Sequence, residues 1–277
     1  MNSEIDLDLE SIINLILLAS EKAAIEILNI YYNDKNYLIK KKKDNSPVTE
    51  ADLLASHVLC RELNKILPIP VISEEDIENI DLDLNNINRY WLIDPLDGTK
   101  SFIKQEDEFT INIALINNGV PILGLVTVPV TGVSYFSSIG NGAYIQDKLG
   151  FIQKISTKKI CDSLNIITSR STNVKQLEKS IQSIPLFITQ KSSSIKMCEI
   201  AEGTYDFYPR LFGTSTWDTA AAHAILLEAG GDIFDFDGNR LSYHLKDGFE
   251  NPKFFAIGDL SFNMENILNE LSKSLFK

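Results

Sequence analysis

Two aspartates, Asp94 and Asp97, straddle a proline in the segment WLIDPLDGTKSFI, and Gly98 and Thr99 follow at once. Carboxylate oxygens this close together are hard donors that suit Mg²⁺, an ion that keeps water and substrate phosphate among its ligands. Pro95 pushes its predecessor away from helical angles, so Asp94 is expected to end a strand in extended geometry. Leu96, Asp97 and Gly98 then turn the chain, and Thr99 opens a helix whose free amides face the bend. The Leu96 carbonyl falls between the two carboxylates, with a helix start suited to an anion behind it. Taken alone, the segment is equally well read as a plain turn, because Asp, Pro and Gly are the usual turn residues.

Other acids extend the pattern without deciding it. Glu74 and Glu75 follow the short apolar strand of VISEED, the place where α/β folds present ligands, although a charged loop is the simpler account of an isolated pair. Asp218 opens the helix of STWDTAAAHAILLEAGG, where an acid complements the helix dipole without any metal. Thr49 and Asp52 in DNSPVTEAD are sufficiently explained as a helix cap. His57, His223 and His244 lie far apart, which favours ordinary surface or core roles over metal binding. Cys198, beside Met197 on an apolar helix face, reads as packing.

These residues need a scaffold, and the changes in hydrophobic period supply one. A long amphipathic helix covers about 5–31 and a second runs from SPVTEAD to about Ile66. The middle is strand-rich: VIS, YWLID, FTINIALI, ILGLVTVPV, GVSYFSSI and GAYI succeed one another across short connections, which favours antiparallel pairing. Beyond about Ile155 the pattern alternates, with LNIITS, DFYP and DIFDF as strands. Val174 to Ser183, SIKMCEIAEG and WDTAAAHAILLEAGG are the helices between them. The run Lys40 to Lys43 reads as a solvated loop, with Lys42 near an incoming phosphate as the minor alternative.

Composition sets the outer limits. The 277 residues are 44% hydrophobic, enough for one sizeable core or two lobes. With 26 basic against 38 acidic residues the net charge is −12, which disfavours a nucleic-acid polymer or an anionic membrane as main partner. Three dispersed cysteines form no disulfide framework or zinc motif. The N-terminus, MNSEIDLDLE, is acidic where a secretory signal is basic. No apolar run approaches the roughly 20 residues of a membrane span. A soluble, cytoplasmic protein is expected.

SPVTEAD, SEED, WLIDPLDGTKSFI and WDTAAAHAILLEAGG, in this order and spacing, resemble the inositol monophosphatase superfamily of lithium-sensitive, Mg²⁺-dependent phosphatases. The resemblance runs from the first helix to about Ile257. It implies a layered αβαβα sandwich, one domain over 1–277. The lobe 1–155 would be α+β with an antiparallel sheet and most metal ligands, and the lobe 156–277 would be α/β with Asp218 and the nucleotide-binding elements. Within the superfamily, SSSIKMCEIAEGTYDFYPR and the KSFI after DGT resemble the CysQ-type 3'(2'),5'-bisphosphate nucleotidases. Three positions depart from that pattern: Ser192 replaces a glycine, Phe212 stands where a glycine precedes the last motif, and Ser101 stands where a glutamate is common.

The resemblance implies Glu74, Asp94, Asp97 and Asp218 as Mg²⁺ ligands, with the Leu96 carbonyl as a fifth oxygen. Anions at about 4 Å repel by about 4 kcal/mol per pair at an effective dielectric of about 20, and two or three Mg²⁺ ions would remove that cost. Asp52 and Thr99 are implied as the pair that positions and deprotonates water. Glu74, Leu96, Asp97, Gly98, Thr99, Ser194, Lys196, Arg210 and Asp218 are implied to touch substrate, with Lys196 and Arg210 as counter-charge for a second phosphate. Tyr208 on the adenine is weighed against a core role, which strand tyrosines more often have. The implied reaction is hydrolysis of adenosine 3',5'-bisphosphate to AMP and phosphate, with 3'-phosphoadenylyl sulfate as a second substrate and inhibition by Li⁺ and Ca²⁺. The alternatives are an inositol or sugar-bisphosphate phosphatase and a catalytically silent phosphate-binding scaffold. A monomer and a homodimer both fit, as does peripheral contact with a membrane.

Overall fold

The computed structural model describes residues 8–33, 38–41, 47–77 and 83–275. Helix α1 (Leu9–Asn33) buries Ile12, Ile13, Ile16, Ala23 and Ile27 on one stripe, and α2 (Glu50–Ile66) buries Ala51, Ala55, Leu59 and Leu63 on another. Spacings of three and four place each set on one helical face, so both helices can lie on a sheet. That sheet has seven strands in sequential order: β3 (Val71–Ser73), β4 (Arg89–Asp97), β5 (Thr110–Asn117), β6 (Val120–Val128), β7 (Val133–Ser138), β8 (Gly142–Gln146) and β9 (Ile152–Ile155). Neighbours pair antiparallel, as the short connections require, except β3 with β4, which run parallel.

A second sheet of five strands has the order β11-β10-β12-β14-β13. It comprises β10 (Leu164–Ser169), β11 (Leu186–Lys191), β12 (Phe207–Arg210), β13 (Asp232–Asp235) and β14 (Phe254–Ile257). Between the sheets lie α5 (Ile195–Ala201) and α6 (Ala220–Ala229), and α4 (Val174–Ser180) and α7 (Glu265–Leu275) cover the far face. Strand alternation sorts side chains between separate cores. On β4, Trp91 and Ile93 pack toward α1 and α2, whereas Tyr90 and Leu92 pack toward α5 and α6. A third core, with Ile166, Leu177, Phe207, Phe255 and Leu271, lies under α4 and α7. The order is therefore helix, sheet, helix, sheet, helix, the layered sandwich expected from the motifs. Each fully buried Leu, Ile or Phe in these layers contributes roughly 1.5–3 kcal/mol.

Several local expectations are revised. Strand β4 does not end at Asp94; it resumes at Asp97 after a bulge. Lys40 and Lys41 belong to a strand, β1 (Ile39–Lys41), paired with β2 (Pro47–Thr49), while Lys42 and Lys43 lie outside the described residues. α2 accordingly starts at Glu50, after β2, and α4 stops at Ser180 rather than Ser183. WDTAAAHAILLEAGG divides into a 3₁₀ turn, Thr216–Asp218, and then α6. β11, β14 and α7 were not expected. β11 is an edge strand with mixed exposure and β14 is a four-residue buried run, and neither shows a clear alternation.

Candidate active site

Parallel pairing explains why Glu74 meets Asp94. Ser73 of β3 pairs with Ile93 of β4, so the chain leaves both strands at the same end, and the Glu74 amide donates to the Ile93 carbonyl at 3.2 Å. Asp97 reaches the same place by a different device. Residues three apart on a regular strand point to opposite faces. Here Asp94 pairs with Asn112 and Asp97 with Thr110, so β4 carries one extra residue between the two pairs. The bulge reverses the alternation. Leu96 accordingly packs into the core under α1 and α2, with Trp91 and Ile93, which leaves Asp97 on the face of Asp94.

Asp218 comes from the other half of the chain. Its turn sits at the start of α6, which lies close on the seven-stranded sheet because Gly124 of β6 has no side chain. A Cβ at Gly124 would stand 2.2 Å from the Ala221 carbonyl oxygen. Glu74, Asp94 and Asp218 thereby offer one oxygen each within 4.8 Å of one another. Asp94 is buried and the other two are half-buried. Asp97 stands beside this triad, with Asn112 Nδ2 at 3.5 Å from its Oδ2. The Asp94 side chain accepts the Leu96 amide at 3.0 Å, which holds the Leu96 carbonyl in the bend.

Two capping boxes set the remaining acids. The Thr49 amide donates to Asp52 Oδ2 at 2.8 Å and the Thr49 hydroxyl donates to the same oxygen at 2.5 Å, and the Ser215 amide donates to Asp218 Oδ2 at 2.8 Å. Asp52, 1% exposed, keeps Oδ1 for the Thr99 hydroxyl, 3.0 Å away. The same hydroxyl is 3.3 Å from the Leu96 carbonyl. Thr99 opens α3 (Thr99–Ile103) after Gly98, whose φ of 98° is left-handed, a conformation glycine adopts without steric cost. Phe102 of α3 anchors this turn by packing against Tyr31 and Phe109.

The electrostatics of the cluster are unfavourable without a cation. Burial and then the charges of Glu74, Asp97 and Asp218 hold the Asp94 carboxyl well above the usual carboxylate range. Burial, Asp97 and Glu74 push Asp218 up to about 8. Burial raises Asp97 as well, opposed by Lys196. Burial likewise raises Asp52, opposed by its hydrogen bonds from Thr49 and Thr99. Among the described residues, no lysine or arginine forms an ion pair with Asp94, Asp97 or Asp218. All-oxygen donors, partly desolvated and repelling one another, fit a hard divalent ion such as Mg²⁺.

The cluster opens into a cleft of about 760 Å³. Glu74, Asp97, Gly98, Thr99, Ser194, Lys196, Tyr208, Arg210 and Asp218 all line it, so residues from both halves of the sequence face one space. A family model described as "Inositol monophosphatase family" matches residues 8–274. The chain belongs to the inositol monophosphatase family. Within it, the chain is 40% identical over 234 residues to the 3'(2'),5'-bisphosphate nucleotidase CysQ of Buchnera aphidicola subsp. Acyrthosiphon pisum, covering 83% of this chain and 87% of that protein. It is also 40% identical to CysQ of Escherichia coli (strain K12) over 85% of this chain and 95% of that one. The crystal structure of CysQ from Bacteroides thetaiotaomicron superposes with a TM-score of 0.74 at 33% identity, covering 88% of this chain and 97% of that chain. The CysQ-type resemblance read from the motifs is thus supported across most of the chain.

Other residues of this family member take places that their types alone did not reveal. Lys196 is buried, donates to the Ser193 carbonyl and lies 5.2 Å over the Tyr208 ring. Arg210 donates from Nε to Phe212 O at 3.1 Å and from Nη2 to Gly213 O at 3.0 Å. Ser194 Oγ donates to Asn112 Oδ1 at 2.6 Å. Asn112 was missed by sequence reasoning, although a polar residue in the apolar run FTINIALI was a usable signal. Ser192 and Ser101, two of the departures from the CysQ pattern, touch each other at 2.7 Å between their hydroxyl oxygens. His57 is exposed. His223 and Cys198 are fully buried in the core, in keeping with structural roles. Among the described residues, no helix is long and apolar enough to cross a membrane.

Proposed function

We propose that the protein is a Mg²⁺-dependent phosphomonoesterase that hydrolyses adenosine 3',5'-bisphosphate to AMP and phosphate and accepts 3'-phosphoadenylyl sulfate as a second substrate. The observation that carries this reading is the convergence of Glu74, Asp94 and Asp218 within 4.8 Å at the wall of a cleft that basic side chains also line. Similarity to CysQ nucleotidases over more than four-fifths of the chain supports the nucleotide as substrate.

Glu74, Asp94, Asp97, Asp218 and the Leu96 carbonyl would hold two or three Mg²⁺ ions. When bound, these ions neutralise the carboxylates and the substrate phosphate and acidify water. The protein's own part is positioning and proton transfer. Asp52 Oδ2 is occupied by Thr49, so Oδ1 alone faces Thr99. With its proton directed to Asp52, the Thr99 oxygen accepts a hydrogen bond from the attacking water and fixes its orientation. As the water oxygen bonds to phosphorus, its proton passes toward Asp52, the ester P–O bond breaks, and the 3'-oxygen leaves with a proton from solvent. Burial raises the proton affinity of Asp52, which suits it to the role of base. No covalent enzyme intermediate is required.

A substrate panel with Mg²⁺ and with chelator tests the reading. Phosphate release from adenosine 3',5'-bisphosphate is expected to exceed release from inositol 1-phosphate, to cease with chelator, and to be inhibited by Li⁺ and Ca²⁺. Preference for inositol phosphate would overturn the nucleotide assignment. Full turnover with chelator would overturn the metal, and inactivity on every phosphate ester would point to a silent scaffold.

A further inference from the structure

We infer that a second cavity, separate from the acidic cleft, binds a small organic amine, with the ammonium group held by Glu199 and an apolar body against Phe109, Val133 and Ile195. The cavity measures about 300 Å³. It lies between α5, the start of β5, the end of β6 and the start of β7. Lys191 and Ser193 are the only residues it shares with the cleft, and none of the acids assigned to Mg²⁺ lines it.

The lining follows from two periodicities. Ile195 and Glu199 are four apart on α5 and share one face of the helix, and Val133 and Tyr135 flank Ser134 on β7 and share one face of the sheet. With Phe109 and Val128 they make a mainly apolar wall. The Tyr135 hydroxyl is taken by Glu202 Oε2 at 2.9 Å, so its ring is what it offers to the cavity. Two polar atoms of the wall are left over. Glu199, 8% exposed, accepts the Lys191 ammonium on Oε1, but its Oε2 is buried with no hydrogen-bond partner among the described residues. The buried Ser193 hydroxyl also lacks one. Burial raises the Glu199 carboxyl, opposed by Lys191, so a single cation leaves its charge incompletely met. A carboxylate oxygen is an acceptor only, and the missing partner must therefore be a donor. Waters, at about 30 Å³ each, would supply donors yet leave the apolar wall wet. Charge decides the kind of donor. Asp107 and Glu108 stand at the rim; even with Glu108 paired to Arg170 at 2.9 Å, Asp107 and Glu199 together outweigh Lys191. A cationic donor with an apolar body meets both the charge and the wall.

Titration of benzylamine into the full chain, followed by the shifts of backbone amide resonances, tests the inference. Excess Mg²⁺ is present throughout, so that the amine does not compete for the carboxylates of the cleft. Saturable shifts are expected at Val133, Ile195 and Glu199, with a Kd of about 1 mM or tighter, a modest affinity for a ligand of this size. Benzyl alcohol, of the same shape without the charge, should bind at least about tenfold more weakly. Glu199→Gln should weaken benzylamine about tenfold or more, and Val133→Phe, which fills the cavity, should abolish its binding. The dispersion of the amide spectrum reports folding in both variants. Absence of saturable shifts in the wild type, shifts confined to residues of the cleft, equal affinity for benzyl alcohol, or binding that either substitution leaves unchanged would overturn the site.

Discussion

Two acidic centres flank α6 and are built on opposite rules. At one, Asp232 is fully buried and well provided: His223 Nε2 lies 2.9 Å from Oδ1, Arg240 Nε donates to Oδ2 at 2.7 Å, and the Ile233 amide donates at 2.8 Å. Burial pushes its carboxyl up, but these partners outweigh burial and hold it below the usual range. At the other, Glu74, Asp94 and Asp218 face one another, and both burial and mutual repulsion push Asp94 and Asp218 upward. A carboxylate surrounded by donors braces the fold. A cluster of carboxylates in which burial and mutual repulsion outweigh the charges of Lys196 and Arg210 stores a cost that a bound cation removes, and this marks the second centre as functional.

Substitution at the two centres should separate these roles most sharply. Asp94→Asn is expected to lower kcat by about a thousandfold or more while leaving the metal-free protein at least as stable in urea, because one of the repelling charges is gone. If the variant keeps turnover, or unfolds more readily than the wild type without metal, the contrast fails. Asp232→Ala should do the reverse, at a cost of about 3 kcal/mol in urea unfolding because His223 and Arg240 lose their acceptor, with turnover per folded molecule retained. A smaller effect is expected at the water-positioning pair. Thr99→Val removes the donor to Asp52 and should lower kcat about a hundredfold with little change in KM, and a change confined to KM would contradict the role.

The centres should also respond oppositely to pH. Asp232 is held below the ordinary carboxylate value of 3.8, and burial holds His223 below the ordinary imidazole value of 6.5. The unfolded chain therefore binds more protons at both, and their contribution is complete above about pH 6.5 and lost as pH falls. Asp218, raised from 3.8 to about 8, has the other sign. Without metal, the folded state binds the extra proton, so stability is lost as pH rises through about 8. The stability gap between the metal-free wild type and Asp218→Asn should widen between about pH 4 and 8 and close when Mg²⁺ is added. A gap independent of pH and metal would remove the electrostatic account.

The elements were largely legible, because the apolar periods of α1, α2 and β4 to β8 report directly which faces are covered, whereas their layering was implied by the family resemblance. The site was legible as residue types, not as geometry. Asp94 and Asp97 were visible at once, but the bulge that brings both to one face depends on the register with Asn112 and Thr110, which local sequence does not encode. Thr49 with Asp52 was read as a cap and is one; Ser215 with Asp218 has the same spacing and passed unnoticed. Lys196 and Arg210 were named through the resemblance, and only the folded chain shows that Lys196 lies buried against the Ser193 carbonyl and the Tyr208 ring and that Arg210 is braced by Ser169, Phe212 and Gly213.

The central claim is that the cluster of Glu74, Asp94, Asp97 and Asp218 takes up divalent ions, and calorimetric titration of Mg²⁺ into metal-free protein tests it most directly. The wild type should show saturable binding that Asp94→Asn abolishes or weakens by at least about tenfold. Absence of saturable binding in the wild type, or binding that Asp94→Asn leaves untouched, would contradict it.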